Sequence, residues 1–530
     1  MRSLIASTVV LLLLGCNIQD LDFENIQGIK LDGVYAAPIG ETIYTMSELL
    51  VEIGDTTELK EGPEPDNILY LEYTDQALFS ATSDIVNISD VIDNASFNLP
   101  VTPPVGSNQT IVVDTTLYLE YAADQSERID SVFYLSGDLT LDATLAGTTS
   151  VSATVTLPTT TNTTGTTQVS FGPSNTNFNT TRSLAGLKTK FTYQGSTNVI
   201  PVDVHLEIPL LTGQQIPAGE TFNLQLAFQN QTFSEVYGKF GQDTVTVGNT
   251  TLSIPFFQDF NTEGFFLGAP TITFDFANSF GVPFGILFGG MYSVSDNTGV
   301  NDTTYLDGNI TNSAQVVAAA QSPGETENTT IVVNSSNSSL SDLLATTPDQ
   351  LGFNLQAVIN PSDPNALNYI SQNNQIQTDI LVRMDLAVRL EDLARDVEFN
   401  LNGGLDFNEV DSAVLRVVTI NSLPFSGTME INIIGAASDT LFTAPEKLVL
   451  SAPFLNNNGT VRKERNNTAD IVLGPDGVEA LKTGTKVALH LVLNTSESLT
   501  ANDLYVKIRL KDYIEIKASV VAGVNYQFNE

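Results

Sequence analysis

Two histidines and one cysteine are the scarce reactive side chains in this 530-residue chain. His205 lies in Val202-Asp203-Val204-His205-Leu206-Glu207-Ile208, where alternation puts it with Asp203 and Glu207 on the polar face of a strand. His490 lies in Val487-Ala488-Leu489-His490-Leu491-Val492-Leu493 and faces away from Leu489 and Leu491. The usual zinc sites take three or four His or Cys ligands, so this supply nearly excludes them. A Ser-His-Asp triad would need one of the two histidines, and no Gly-x-Ser-x-Gly elbow accompanies either. Both are expected as solvated strand residues. Paired carboxylates could cleave a glycosidic bond without histidine, but the chain has no Trp to offer a sugar a flat platform. Calcium is the one ion with a candidate loop: Asp296, Asn297, Asn301 and Asp302 supply oxygen donors, without the EF-hand order or its closing glutamate. No catalytic constellation is visible, and no cofactor is expected beyond that calcium.

The cysteine asks a different question, because it follows directly on an apolar run. Met1-Arg2 carries a positive charge, and Leu4 to Leu14 are mostly apolar. That run is too short to span a bilayer as a helix, which takes about 20 residues, but it suits the core of a secretory signal. A single cysteine in a secreted chain can form no internal disulfide. Leu13-Leu14-Gly15-Cys16 resembles the lipobox of bacterial lipoproteins, with Leu14 larger than the residue usual there. The resemblance implies cleavage between Gly15 and Cys16 and a diacylglycerol thioether on Cys16, with a further acyl chain such as palmitate on the new amine. Two or three chains suffice for stable anchoring, at about 0.8 kcal/mol per buried methylene. Asp20, Asp22 and Glu24 then alternate with apolar residues, which resembles the export signal of surface lipoproteins in Bacteroidota. The expected location is the outer membrane, surface-exposed, with a periplasm-facing lipoprotein as the alternative.

Sixty-one acidic residues against 22 basic leave a formal charge of −39. Such a surface repels nucleic-acid phosphates, so that partner class is not expected. The plain benefit is solubility. Asp followed by Ser or Thr and a further aliphatic residue or Thr recurs, and resembles the O-glycosylation site of Bacteroidota envelope proteins. It marks Thr56, Thr115, Ser131, Thr244, Thr303, Ser412 and Thr440 as candidate acceptors.

The elements that must position these groups read as strands. Phe222, Leu224, Leu226 and Phe228 share one face, and so do Ile380, Val382, Met384, Leu386, Val388 and Leu390. Val506, Ile508 and Leu510 alternate with basic residues, and a further strand is expected through Ile514 and Ile516. Asn458-Gly459 predicts a hairpin. Short helices are expected at Met46 to Leu50 and Leu340 to Leu344, each after a Ser/Thr cap signal. Two strand ends echo each other, Asn278-Ser279-Phe280-Gly281-Val282-Pro283-Phe284 and Asn421-Ser422-Leu423-Pro424-Phe425, and suggest two related modules. Residues 158–182 and 294–339, rich in Thr, Asn, Ser and Gly, read as loops near module boundaries.

The expected fold is all-β: two or three β-sandwich-like modules in tandem with a few short helices. The division is 1–15 signal peptide, 16–30 acidic tether, 31–170 N-terminal module, 171–348 middle module and 349–530 C-terminal module. The chain also resembles Bacteroidota lipoproteins that share the Asn278–Phe284 strand end and a run like Lys447 to Val461, a family that brings no activity with it. The expected role is a lipid-anchored structural or binding module for an unknown protein or glycan partner. The alternatives are a carrier or accessory protein for lipids or glycans, with Phe256-Phe257 and Phe265-Phe266 lining a groove, and a carboxylate-based glycoside hydrolase.

Overall fold

The computed structural model describes residues 30–46, 59–65, 67–80, 82–86, 88–121, 128–165, 168–175, 177–195, 197–255, 265–295, 302–345, 348–400, 410–495 and 505–527. The fold is all-β, with antiparallel sheets, a half-barrel and few short helices. Its strands group into three bodies.

The half-barrel is an 11-stranded sheet built around Thr197–Leu210 and Thr221–Lys239. Phe222, Leu224, Leu226 and Phe228 all point into its core, as the alternation requires. Thr221–Lys239 pairs with Val91–Asn98 on one side and Arg128–Ala146 on the other, and Thr197–Leu210 lies between Gln109–Tyr121 and Ser152–Asn162. Residues 158–182, expected as a loop, instead end the strand Ser152–Asn162 and form Gln168–Asn175 and most of Phe178–Ser183. Their threonines are polar but β-branched, and a strand with one wet face accepts both properties.

The other two bodies are sandwiches with one topology. In the first, a sheet orders its strands Leu69–Phe79, Ile376–Asp385, Thr271–Asn278, Glu327–Asn334. In the second, the matching order is Lys30–Thr45, Tyr513–Gln527, Val410–Asn421, Arg465–Val472. The facing sheets match as well. Gln350–Ile359 pairs with Thr244–Ser253 and Phe284–Leu287, which pairs on with Gln315–Val317. Lys486–Thr495 pairs with Leu393–Asn400 and Phe425–Ile434, which pairs on with Thr440–Leu450. A short helix precedes the central strand each time, Leu340–Ala345 in the first body and Gly474–Thr483 in the second.

The two Asn-Ser echoes sit at the same corner of the two sandwiches and make the same bonds. Asn278 donates to the carbonyls of Val282 (3.0 Å) and Ala318 (2.9 Å) and accepts from the Phe280 amide (2.9 Å). Asn421 donates to Phe425 (2.7 Å) and Ser451 (3.0 Å) and accepts from Leu423 (2.9 Å). Ser279 and Ser422 bond the start of the neighbouring strand, at Gln375 and Tyr513. The carboxamide bridges the gap where the chain leaves one sheet for the other, and both asparagines are fully buried.

The cores differ. The first sandwich packs Phe274, Phe276, Phe280, Phe284, Phe288 and Phe353, all essentially inaccessible. The second closes over Val417, Ile431, Ala444, Val449, Ala469 and Ile471, a smaller aliphatic set.

Strand pairing crosses the divisions drawn from composition. Gln168–Asn175 pairs with Ser152–Asn162 across 170/171, and Gln350–Ile359 pairs with Phe284–Leu287 across 348/349. Glu327–Asn334, in a stretch expected as loop, forms an edge strand of the first sandwich. The Asn458-Gly459 hairpin forms between Phe454–Leu455 and Val461–Lys463, with Gly459 at φ +84°. Of the expected N-terminal helix, only Met46 lies within the described residues.

One device links the bodies. In the first sandwich, the crossover after Gln350–Ile359 sends Asn368–Ser371 out to pair with Thr221–Lys239 of the half-barrel. In the second, the crossover after Lys486–Thr495 sends Val506–Lys507 to pair with Ala387–Leu390, while Ile508 bonds Leu69 and Leu386 of the first sandwich. The order is therefore half-barrel, first sandwich, second sandwich. At the end of the second sandwich away from the first, Lys30 pairs with Gln527.

Candidate functional site

Three features of the half-barrel could meet a ligand: two polar sheet faces and one loop end. On the first face, His205 lies across from Asp114 and Thr154 on the flanking strands. Its Nδ1 is 2.6 Å from an Asp114 oxygen, and its Nε2 is 3.6 Å from Glu207. The hydrogen bond to Asp114 raises the His205 pKa above its ordinary value, with Glu207 adding to it and slight desolvation opposing. Thr116 donates to Asp203 at 2.7 Å. His205, Asp114, Thr116 and Asp203, with Thr154 and Thr156, line an open depression of about 430 Å³. The sequence placed His205 with Asp203 and Glu207 but not with Asp114, because cross-strand register is not written locally.

This arrangement binds protons better than it performs hydrolysis. The second ring nitrogen faces a carboxylate, not a nucleophilic hydroxyl. A general acid needs a carboxyl held out of water, and Asp114 is 73 % exposed. His490 repeats the pairing in the second sandwich, 2.6 Å from Asp396 and across from Glu430.

The second face carries mostly neutral hydrogen-bonding groups in cross-strand rows, with one carboxylate, Asp142. Asn94, Gln225 and Asp142 form one row, and Ser96, Asn223 and Thr144 the next. Gln225 donates to Asn94 at 2.9 Å. These residues line a second open depression, of about 340 Å³.

The loop end is built by three connections, 99–108, 147–151 and 211–220, on the side of the half-barrel away from the first sandwich. Leu99, Val105, Val151 and Ile216 anchor them in the core. Val105 bonds Gln214 and Gly213, Thr102 exchanges two bonds with Ile216, and Asn108 accepts from Thr212. Glu220 staples the third loop to the second: one carboxylate oxygen accepts from the Thr148 amide (2.7 Å) and hydroxyl (3.1 Å) and from the Thr149 amide (3.1 Å). A Cβ at Gly147 would sit 2.5 Å from the Glu220 carboxyl carbon, so a side chain there would push the carboxylate off its bonds to Thr148 and Thr149. Burial works to raise the Glu220 pKa, but the bonds from Thr149 and Thr148 outweigh it and hold the carboxyl below its usual range.

A depressed folded-state pKa stabilises the fold above the ordinary carboxylate value of about 4.3 and loses that contribution as pH falls through the folded value. Glu220→Gln is therefore expected to cost about 1–2 kcal/mol at pH 7. The gap between wild type and variant should close below about pH 4. Denaturant titrations at pH 7 and pH 3.5 check this, and a gap of equal size at both would contradict it.

Other expected positions are scattered. Gly15, Cys16, Thr56, Asp296, Asn297 and Asn301 lie outside the described residues, and Asp302 is exposed at the start of the strand Asp302–Tyr305. Thr244, Thr303 and Thr440 are exposed, while Thr115 and Ser412 are half-buried. Ser131 is 8 % exposed and lies between paired strands. Among the described residues no three His, Cys, Asp or Glu side chains gather as a metal site. Phe256 and Phe257 lie outside the described residues, and Phe266 is half-buried beneath the Arg389 guanidinium. Among the described residues no helix is long and apolar enough to cross a membrane.

The loop end was not singled out in the sequence. Its signal was there in Pro100, Pro103, Pro104 and Gly106, and again in Gly213, Pro217 and Gly219, punctuation between two pairs of strands.

No protein-family model matches the chain, and no curated protein does. Among solved structures, a protein of Parabacteroides distasonis described as secreted is similar at a TM-score of 0.33 and 13% identity, over 53% of this chain and 82% of that one. A structure of infectious bursal disease virus, Gx strain, is similar at 0.14 and 10% identity, over 84% of this chain and 86% of that one. The VP2 subviral particle of the same virus reaches 0.15 and 10%, over 75% and 74%. Likenesses at these scores carry no argument about fold or role.

Proposed function

We propose that this chain is a lipid-anchored lipoprotein of the bacterial outer membrane that holds a binding head away from the membrane on a stalk of two duplicated sandwiches. The head is the half-barrel. The observation that carries the reading is Cys16, the only cysteine of the chain, set directly behind Leu13-Leu14-Gly15 and a short apolar run. The order of the bodies supports it. A tether from residue 16 enters at Lys30, at the far end of the second sandwich, and the half-barrel comes last. Surface display, the face the acidic stretch after Cys16 favours, would turn the head toward the medium.

A glycan as ligand is supported by one feature, the adjoining rows of Asn94, Gln225 and Asp142 and of Ser96, Asn223 and Thr144, whose amide, hydroxyl and carboxylate groups match sugar hydroxyls. The lipid-carrier reading has less support, since the described phenylalanines of the first sandwich fill its core. The test is mass spectrometry of the N-terminal peptide of protein from its native host. The expected species begins at Cys16 and carries a diacylglycerol thioether. An unmodified Cys16, or residues 1–15 still attached, would overturn the reading.

A further inference from the structure

We propose that the loop end of the half-barrel is a self-association surface, through which two copies of this chain meet head to head. The proposal rests on reading the half-barrel as the free end of the molecule, and its test does not depend on the lipid.

Charge makes the first argument. The chain carries −39, so two copies repel each other over most of their surface. Loops 99–108 and 147–151 contain no charged residue, and 211–220 contains only Glu220, which is 4 % exposed and spent on Thr148 and Thr149. The nearest outward carboxylates in the strands below are Glu207, Asp114 and Asp142, each three to five residues from its strand's loop-end terminus. At about 3.3 Å per residue that is roughly 10–17 Å, more than a Debye length at physiological salt. This end is where a second acidic body can approach without strong repulsion.

Composition makes the second argument. Val101 is 65 % exposed and Leu211 is 59 % exposed, and Pro100, Pro103 and Pro104 lie open beside them. The three loops total about 25 residues, of which all but Leu99, Val105, Val151, Ile216 and Glu220 reach the surface, about 20 in number and at the lower end of one side of a standard protein interface. They are cross-bonded before any partner arrives, which lowers the ordering cost of association. They carry no aromatic or basic residue, so they lack the Trp, Tyr, Lys and Arg anchors of a lipid-facing loop and the rings on which sugars stack.

Sedimentation velocity on the processed chain, with Cys16→Ser to keep it soluble, tests the proposal. Between about 1 and 100 µM protein the expected result is a monomer–dimer equilibrium, tighter at high salt because screening removes the repulsion between the acidic bodies. Val101→Asp with Leu211→Asp should weaken the dimer at least about tenfold, with an unchanged thermal melt showing that the fold survives. Val34→Asp, exposed at the opposite end of the molecule, should leave the dimer intact. A monomer under all these conditions would overturn the proposal. So would a dimer indifferent to the paired aspartates, or a head that binds neutral vesicles and does not pair with itself.

Discussion

Asn278→Ala should cost the first sandwich about 3–5 kcal/mol, and Asn421→Ala should cost the second a similar amount. Each asparagine is fully buried and makes three hydrogen bonds to backbone. Alanine removes two donors and one acceptor at once. The carbonyls of Val282 and Ala318, or of Phe425 and Ser451, then lose their partners at the corner between the sheets. A buried polar group without a partner costs about 1–3 kcal/mol. Aspartate does not rescue either site, since it keeps the acceptor but has no N–H to donate and brings a charge into the core. Asn94→Ala on the open face is the control and should change stability by less than about 0.5 kcal/mol. Denaturant unfolding of both variants is the check. A loss under about 1 kcal/mol for both would mean that the corner is held by packing alone.

That corner also shows how much could be read from the sequence. The two Asn-Ser-Pro-Phe echoes suggest two related modules, but the helix patterns do not mark the same pair. Leu340 to Leu344 looks like Met46 to Leu50, a Ser-acid-Leu-Leu pattern in both. Its counterpart in the fold is Gly474–Thr483, which has a proline at its start and no such pattern. The cap signal at Ser339 places its helix correctly, at Leu340–Ala345, while the serine hydroxyl accepts from the Asp307 amide and so also ties two loops together. Alternation fared better. Phe222 to Phe228 and Ile380 to Leu390 face the core as their spacing requires, since side-chain direction in a strand is a local property.

Longer-range facts were hidden. The pairing of Lys30–Thr45 with Tyr513–Gln527, and of Leu69–Phe79 with Ile376–Asp385, joins segments hundreds of residues apart. No composition window can show that. For the same reason the Asp114 partner of His205 and the Glu220 staple of Gly147-Thr148-Thr149 emerge only when strands are laid side by side. The threonine-rich stretch 158–182 forms strands where its polarity suggests a loop, because threonine is also β-branched.

The proposed anchoring sets an order of parts outward from the membrane: tether, second sandwich, first sandwich, half-barrel. Strands of 15, 10 and 19 residues run in the three bodies. At about 3.3 Å per residue, the loop end stands on the order of 100 Å from Lys30. The most direct measurement is energy transfer from a single fluorophore to acceptor dyes in a supported bilayer that holds the acylated protein. The lipid proposed on Cys16 would block that thiol, so Val34→Cys labels the proposed tethered end and Ser107→Cys labels the loop end, both at exposed positions. Strong transfer from residue 34 and almost none from residue 107 is the predicted result. Equal transfer from the two, or stronger transfer from 107, would contradict it.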